Sequence, residues 1–168
     1  MLCFSYGSNM SSARIRSRVP SAEFVAVAAL EAHRLVFHKL SRRDGSAKCD
    51  ALFTCDPDDQ VLGVVYEIAD REKPILDRAE GLGWGYEQKL VDVETRDGKS
   101  LRVQMYYATD IHPSVRPFCW YSQHVLNGAR EHGLPGYYIK AIEAVPADED
   151  PKKRRHEREL AIYAEKTR

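Results

Sequence analysis

The strands predicted for this chain come before its longer helices, and this order limits the fold more than any other feature. Short β-branched and aromatic segments predict strands at residues 2–6, 24–28, 34–38, 51–54, 61–68, 90–94 and 101–106. Two longer helical patterns follow, at 118–132 and 136–144. Alternating strands and helices would predict βαβ units. The observed order predicts an α+β fold, a mixed sheet or small barrel with helices packed around it.

Local signals predict several boundaries of these elements. Asp97-Gly98 between two alternating segments predicts a hairpin turn. Asp70 is a good candidate for the cap of a helix that ends near Glu80-Gly81, and Gly133 is a candidate C-cap for the first long helix. A short helix is predicted at residues 11–18.

Composition predicts one soluble domain without a charged partner surface. The 168 residues include 25 Lys and Arg and 25 Asp and Glu, so no net basic field attracts nucleic acid or an anionic membrane. No apolar run approaches the ~20 residues of a membrane span, and the start lacks a signal-peptide pattern. We therefore expect a cytoplasmic protein with one domain at residues 1–146 and a charged helical extension at 147–168.

The cysteines and histidines predict no metal site. Cys3, Cys49, Cys55 and Cys119 lack paired metal spacing, and in a cytoplasmic chain they are expected to be reduced, packed thiols. His124 and His132 lie two turns apart on one predicted helix and belong to no metal-binding cluster in the sequence. Structural or surface roles are therefore favoured for these histidines.

The segment Tyr6-Gly7-Ser8-Asn9 lies between a predicted strand and a predicted helix. Backbone N–H groups at such a turn point outward and can bind a carboxylate or an oxyanion. An ordinary strand-to-helix turn, capped by Asn9 or Ser11, explains the same residues and is favoured by spacing alone.

Glu80 is predicted in the last turn of a helix, where the macrodipole disfavours a carboxylate. Such local conflicts are found at functional sites, although this position by itself favours a side chain that simply points into solvent. Asp77, one turn earlier, is a competing candidate that we expect to be solvated. The aromatic residues of the second half could line a pocket, but core packing is the default for at least half of them.

Four segments carry a resemblance to a known family. They are Tyr6-Gly7-Ser8-Asn9-Met10, Gly63-Val64-Val65-Tyr66, Leu76-Asp77-Arg78-Ala79-Glu80-Gly81 with Tyr86 after it, and the segment 128–135 with Tyr138 after it. In order and spacing, from about residue 4 to residue 142, the chain resembles the γ-glutamylcyclotransferase family.

The resemblance implies a single-domain, small mixed β-barrel with flanking helices and one cavity. It implies that Glu80 is the catalytic residue and that no metal or cofactor takes part. The substrate-binding residues that it implies are Tyr6, Gly7, Ser8 and Asn9 of the loop, with Tyr86, Tyr106 and Tyr121 as pocket tyrosines.

The resemblance also implies a reaction. The α-amine of a γ-glutamyl compound attacks its own γ-carbonyl, which releases 5-oxoproline and a free amine or amino acid. The substrate can be a γ-glutamyl amino acid or peptide, or instead a γ-glutamyl amine or a γ-glutamyl-protected metabolite. A catalytically silent binding module on the same fold is the third alternative, and a homodimer is left open.

One departure from the family pattern bears on the substrate. Asn9-Met10 follows Gly7-Ser8 where the glutathione-degrading branch has an aliphatic residue and a tryptophan. Glutathione is therefore a less expected substrate. The polar segment 41–46 is our candidate for the wall on the leaving-group side.

Overall fold

The computed structural model describes residues 1–164 and contains a closed barrel of five strands in the order β1-β5-β2-β6-β7. The strands are β1 (Leu2–Ser5), β2 (Glu23–Glu31), β3 (His33–Leu40), β4 (Ala47–Phe53), β5 (Gln60–Glu67), β6 (Tyr86–Thr95) and β7 (Ser100–Ala108). Cys3 of β1 pairs in parallel with Gln104 of β7 and closes the barrel, whereas the other barrel pairs are antiparallel. The predicted mixed barrel is therefore confirmed.

Strands β3 and β4 form a separate two-stranded sheet that packs against the barrel. The buried carboxylate of Asp50 joins the two layers, since Oδ1 accepts the N–H of Ala108 at 2.8 Å. Its other oxygen lies 2.8 Å from His38 Nε2, across the β3–β4 sheet. This sheet therefore has a fixed position beside β7.

Within residues 1–164, five α-helices surround the barrel: α1 (Ser12–Arg18), α2 (Lys73–Glu80), α3 (Cys119–Glu131), α4 (Gly136–Glu143) and α5 (Lys153–Leu160). Helix α3 lies directly against the chain between β1 and α1. A side chain at Gly128 would collide with the backbone at Met10 and Ser11, so only glycine allows this approach. The motif around Gly128 is therefore explained by packing.

Most predicted boundaries are confirmed within a few residues. Gly98, with φ +77°, turns the β6–β7 hairpin, and Gly81, with φ +77°, ends α2 in the left-handed conformation. The prediction that Asp70 caps α2 is wrong. Asp70 begins a preceding 3-10 turn, and its carboxylate lies 3.1 Å from the amino group of Met1.

The charged C-terminal segment packs on α1 and α3. Glu159 of α5 forms a 3.0 Å ion pair with Arg14, and the Tyr163 hydroxyl donates to Ser11 Oγ at 3.1 Å. The domain boundary at residue 146 stays a prediction, and the end of the helix predicted at 152–166 lies outside the described residues. None of the helices in residues 1–164 has both the length and the apolarity to cross a membrane.

Candidate active site

A cavity of about 40 Å³ lies where the chain leaves the end of β1. That space is large enough for a small polar group and water. The structure brings together every residue that the sequence analysis named as a site residue: the lining includes Tyr6, Gly7, Ser8, Asn9, Glu80, Tyr86, Tyr106 and Tyr121.

The segment from Tyr6 to Asn9, which we call the opening loop, contributes backbone donors to the cavity. A 3-10 turn at Ser8–Met10 is closed by the Met10 N–H, which donates to the Gly7 carbonyl at 3.0 Å. Among residues 1–164 no acceptor is found for the N–H groups of Gly7, Ser8 and Asn9. These donors can therefore bind a carboxylate or an oxyanion.

Gly7 is required by close packing rather than by its backbone conformation. A Cβ at this position would lie 3.0 Å from Cys49 Cβ and 3.2 Å from the Tyr121 hydroxyl. Any larger residue would therefore crowd the cavity.

Glu80 is the last residue of α2, and its side chain is only 18% exposed. Its Oε1 accepts hydrogen bonds from Asn9 Nδ2 at 2.6 Å and from Arg18 Nη1 at 2.8 Å. The alternative that Glu80 points freely into solvent is therefore wrong. The carboxylate is held against the opening loop.

Arg18 was missed by the sequence analysis. It is the last residue of α1, and its Nη1 also donates to Asn9 Oδ1 at 3.0 Å, which links Arg18, Asn9 and Glu80. A basic residue at a helix C-terminus is ordinary, because it complements the macrodipole. Sequence alone therefore gave no sign that Arg18 belongs to the site.

Three of the tyrosine hydroxyls are bound to the surrounding backbone. Tyr6 Oη donates to the Tyr106 carbonyl at 2.6 Å, and Tyr86 Oη donates to the Cys49 carbonyl at 2.5 Å. Tyr121 Oη accepts the Cys49 N–H at 2.9 Å, so its own O–H can donate to a ligand. Burial raises the pKa of these three tyrosines, so they remain neutral.

Asp77 forms hydrogen bonds with two side chains, so the expectation that it is solvated is wrong. Its Oδ1 accepts a hydrogen bond from the Tyr106 hydroxyl at 2.6 Å and pairs with Lys73 Nζ at 2.5 Å. Burial and this bond to Asp77 raise the pKa of Tyr106. Asp77 lines the wider cleft outside the cavity, which leaves Glu80 as the carboxylate of the cavity itself.

The two cysteines that line the cavity are neutral. Burial raises the pKa of Cys3 and of Cys49 to about 12, so neither supplies a thiolate. All four cysteines are free. Residues 1–164 contain no group of three or more histidine, cysteine or acidic side chains placed to hold a metal ion.

The cavity opens into a wide cleft of about 1130 Å³, and the two share Ser8, Glu80, Tyr86 and Tyr121. Part of the segment 41–46 lies on the cleft wall, as does part of α5. Eleven Lys and Arg residues line the cleft against four Asp and Glu residues, in a chain whose formal net charge is zero. The cleft is therefore strongly basic.

Comparison with known proteins identifies relatives of this chain in sequence and in structure. The model of the AIG2-like family matches residues 60–142. The γ-glutamylcyclotransferase of Bos taurus is 34% identical over 147 residues, which cover 86% of this chain and 78% of the relative. The Homo sapiens protein of the same name is 33% identical, with the same coverage.

A solved structure named gamma-glutamyl cyclotransferase superimposes with a TM-score of 0.84 and 29% identity. The match covers 97% of this chain and 98% of that one, so the barrel and its helices are shared throughout. With these relatives and with Glu80 held at the opening loop, the chain belongs to the γ-glutamylcyclotransferase family.

Proposed function

We propose that this protein is an enzyme that cyclises γ-glutamyl compounds and releases 5-oxoproline. The observation that carries the proposal is the position of Glu80, whose carboxylate lies 2.6 Å from Asn9 of the opening loop, in a cavity lined by tyrosines. A proton-transfer group and a set of free backbone donors therefore face the same small space. The relatives that bear the family name support the same activity.

The substrate carries its own nucleophile. Its α-amine attacks the γ-carbonyl carbon, a new C–N bond closes the five-membered ring, and the amide bond to the leaving amine breaks. The protein has mainly to hold a folded conformer, and well-oriented intramolecular reactions can reach effective molarities of about 10⁵ M or more.

Glu80 is proposed to carry the proton between the two nitrogens. It takes a proton from the attacking amine and gives it to the departing one, so no net proton is gained or lost. The two hydrogen bonds that residues 1–164 donate to this side chain both end on Oε1, which leaves Oε2 for this transfer. Asn9 and Arg18 orient the carboxylate.

The opening loop and the tyrosines are proposed to bind the γ-glutamyl group. The N–H groups of Gly7, Ser8 and Asn9 can hold the α-carboxylate of the substrate or the negative charge that develops on the γ-carbonyl oxygen. Tyr6, Tyr86, Tyr106 and Tyr121 enclose this space and limit water. The ring closure is therefore favoured over solvent reactions.

Release of 5-oxoproline tests the proposal. The purified protein is incubated with γ-glutamyl-alanine, with γ-glutamyl-ε-lysine and with glutathione, and 5-oxoproline is measured by chromatography. We expect product from at least one of the first two and less from glutathione, because of Asn9-Met10. Binding without product from any γ-glutamyl compound would instead favour a silent binding module. The cytoplasmic location and the oligomeric state stay predictions.

A further inference from the structure

Lys39 of β3 is a largely buried cation that faces the cleft and has no ion-pair partner among residues 1–164. The residue is only 6% exposed, and its side chain is part of the cleft lining. Among residues 1–164 its ammonium group makes no hydrogen bond or ion pair, and its recorded contact is with the ring of Tyr86. Nζ itself still contacts the solvent of the cleft, so an anion in the cleft can reach the charge without displacing a protein partner.

The surroundings of Lys39 explain why its ammonium lies at the cavity entrance. Nζ lies 4.8 Å from the ring centre of Tyr86, a residue that lines both the cavity and the cleft. A Cβ at Gly85 would lie 2.9 Å from Cε and 3.2 Å from Nζ, so the absence of a side chain there makes room for Lys39.

The carboxylates near Lys39 already have their own cations. Asp110, Glu80 and Asp44 all act on its charge, but Asp110 pairs with Arg42 at 2.9 Å and Glu80 pairs with Arg18 at 2.8 Å. Asp44 pairs with Lys48 at 3.0 Å. Burial lowers the pKa of Lys39, as expected for a cation that lacks a close partner. An incoming carboxylate would supply that partner.

The chemistry of the leaving group provides such a carboxylate. In a γ-glutamyl amino acid, only two bonds of roughly 1.5 Å each separate the departing nitrogen from its carboxylate carbon. Glu80 must reach the nitrogen, so the carboxylate must lie within a few ångströms of Glu80, on the cleft side. We propose that Lys39 binds this carboxylate and makes the enzyme selective for γ-glutamyl amino acids over γ-glutamyl amines.

The inference rests on the proposed function, because it assigns the leaving-group side of the same site. A matched pair of ligands tests it: γ-glutamyl-alanine and γ-glutamyl-ethylamide, which lacks only the carboxylate. Affinities are measured by calorimetry in a Glu80→Gln background, with Lys39 or with the added Lys39→Met substitution. We expect Lys39→Met to weaken the affinity for γ-glutamyl-alanine roughly 10–100-fold, the range for a charged hydrogen bond. The affinity for γ-glutamyl-ethylamide should change less than about 2-fold.

Turnover by the protein with Glu80 gives the second measurement. We expect kcat/KM to favour γ-glutamyl-alanine by at least about 10-fold, and Lys39→Met to remove most of this preference through KM. Lys89→Met is the matched control, because Lys89 is a partly buried lysine on β6 that is not part of the cleft lining. Thermal melting verifies that each variant is folded.

Two results would overturn the inference: equal affinity for the two ligands, or an affinity ratio that Lys39→Met leaves unchanged. The proposed function is judged separately, by release of 5-oxoproline from the protein with Glu80. If no 5-oxoproline is released but the affinity ratio depends on Lys39, the cyclisation proposal is rejected and the carboxylate site is kept. If 5-oxoproline is released but the affinity ratio does not depend on Lys39, the carboxylate site is rejected and the cyclisation proposal is kept.

Discussion

Arg18 and Glu80 form an ion pair 2.8 Å long that joins the C-terminal residues of two short helices, α1 and α2. The negative ends of both helix dipoles meet at this point, which favours the arginine and disfavours the glutamate. The pair offsets the unfavourable position of Glu80 and orients it toward the opening loop. Both side chains remain about one-fifth exposed, so their contribution is to geometry more than to stability.

Replacement of Glu80 by glutamine should stop turnover while the fold is kept. Glutamine preserves the shape and can still accept the bond from Arg18, but it cannot carry a proton. We expect kcat to fall by at least ~10²-fold, the usual contribution of a positioned acid or base. Glu87→Gln, on the exposed face of β6, is the control. Near-normal kcat in Glu80→Gln would exclude the residue from the mechanism.

Arg18→Met should lower kcat roughly 10-fold with a smaller change in KM, because the Glu80 carboxylate loses one of its two anchors. Arg18→Lys should retain more activity, since the charge remains. Steady-state kinetics provide the measurement. Arg16→Met serves as the control, because Arg16 lies on the same helix and its Nε donates to the Ala22 carbonyl. Equal kinetics for Arg18→Met and Arg16→Met would argue against a positioning role.

Gly7→Ala should raise KM roughly 10-fold. The added methyl group would lie 3.0 Å from Cys49 Cβ and 3.2 Å from Tyr121 Oη, so it would intrude on the space for substrate. Overpacking also costs about 1–3 kcal/mol of stability, which thermal melting measures in parallel. At Gly136 a Cβ would meet nothing within 4 Å, so Gly136→Ala is the matched control. An unchanged KM in Gly7→Ala would show that substrate does not approach the opening loop.

His124 should make the fold sensitive to mild acid. It is fully buried in α3, where Nε2 accepts from Arg14 and Nδ1 donates to Tyr163, each at 2.7 Å. Burial lowers its pKa to about 4, against 6.5 for the unfolded chain. The unfolded chain therefore takes up a proton that the folded protein does not, so stability is full above pH 6.5 and is lost as the pH falls toward 4.

Between pH 7.5 and pH 5 this loss should reach about 2 kcal/mol, as measured by urea unfolding. The range stops at pH 5 because Glu159, whose pKa is lowered from 4.5 to about 2, adds a loss of the same sign at lower pH. In His124→Gln, the free energy of unfolding should change much less between these two pH values. In the control His112→Gln, which changes an exposed histidine, it should fall as in the unmodified protein. A slope that is the same in all three proteins would contradict the assignment.

The sequence was sufficient to predict those strands, helices and turns that are determined by residues close to one another along the chain. Alternation and Asp97-Gly98 were enough for the β6–β7 hairpin, and Gly81 was enough for the end of α2. The start of β4 at Ala47 was missed, since Lys48 and Asp50 look like loop residues. Tertiary contacts offset the cost of burying these two charged side chains: Lys48 pairs with Asp44, and Asp50 accepts the N–H of Ala108.

The site was predicted where a motif or the family resemblance marked it, and not where only tertiary contacts did. The opening loop, Glu80 and the tyrosines fall within motifs or were carried over with them. Arg18 and Lys39 do not, because a basic residue in a helix end or in a half-polar strand is ordinary. Lys39 also follows a register shift between Phe37 and Lys39, which breaks the alternation from which a strand face is inferred.

The parallel pairing of Cys3 with Gln104 determines when this enzyme can first exist during synthesis. The opening loop is synthesised long before β7, yet the barrel cannot close until β7 is made, and Tyr121 is made later still. Such distant pairing predicts slow folding, limited by the search for non-local contacts. Catalytic activity during refolding should therefore return in one late step together with the last tertiary structure, and a nascent chain that ends before β7 should be inactive.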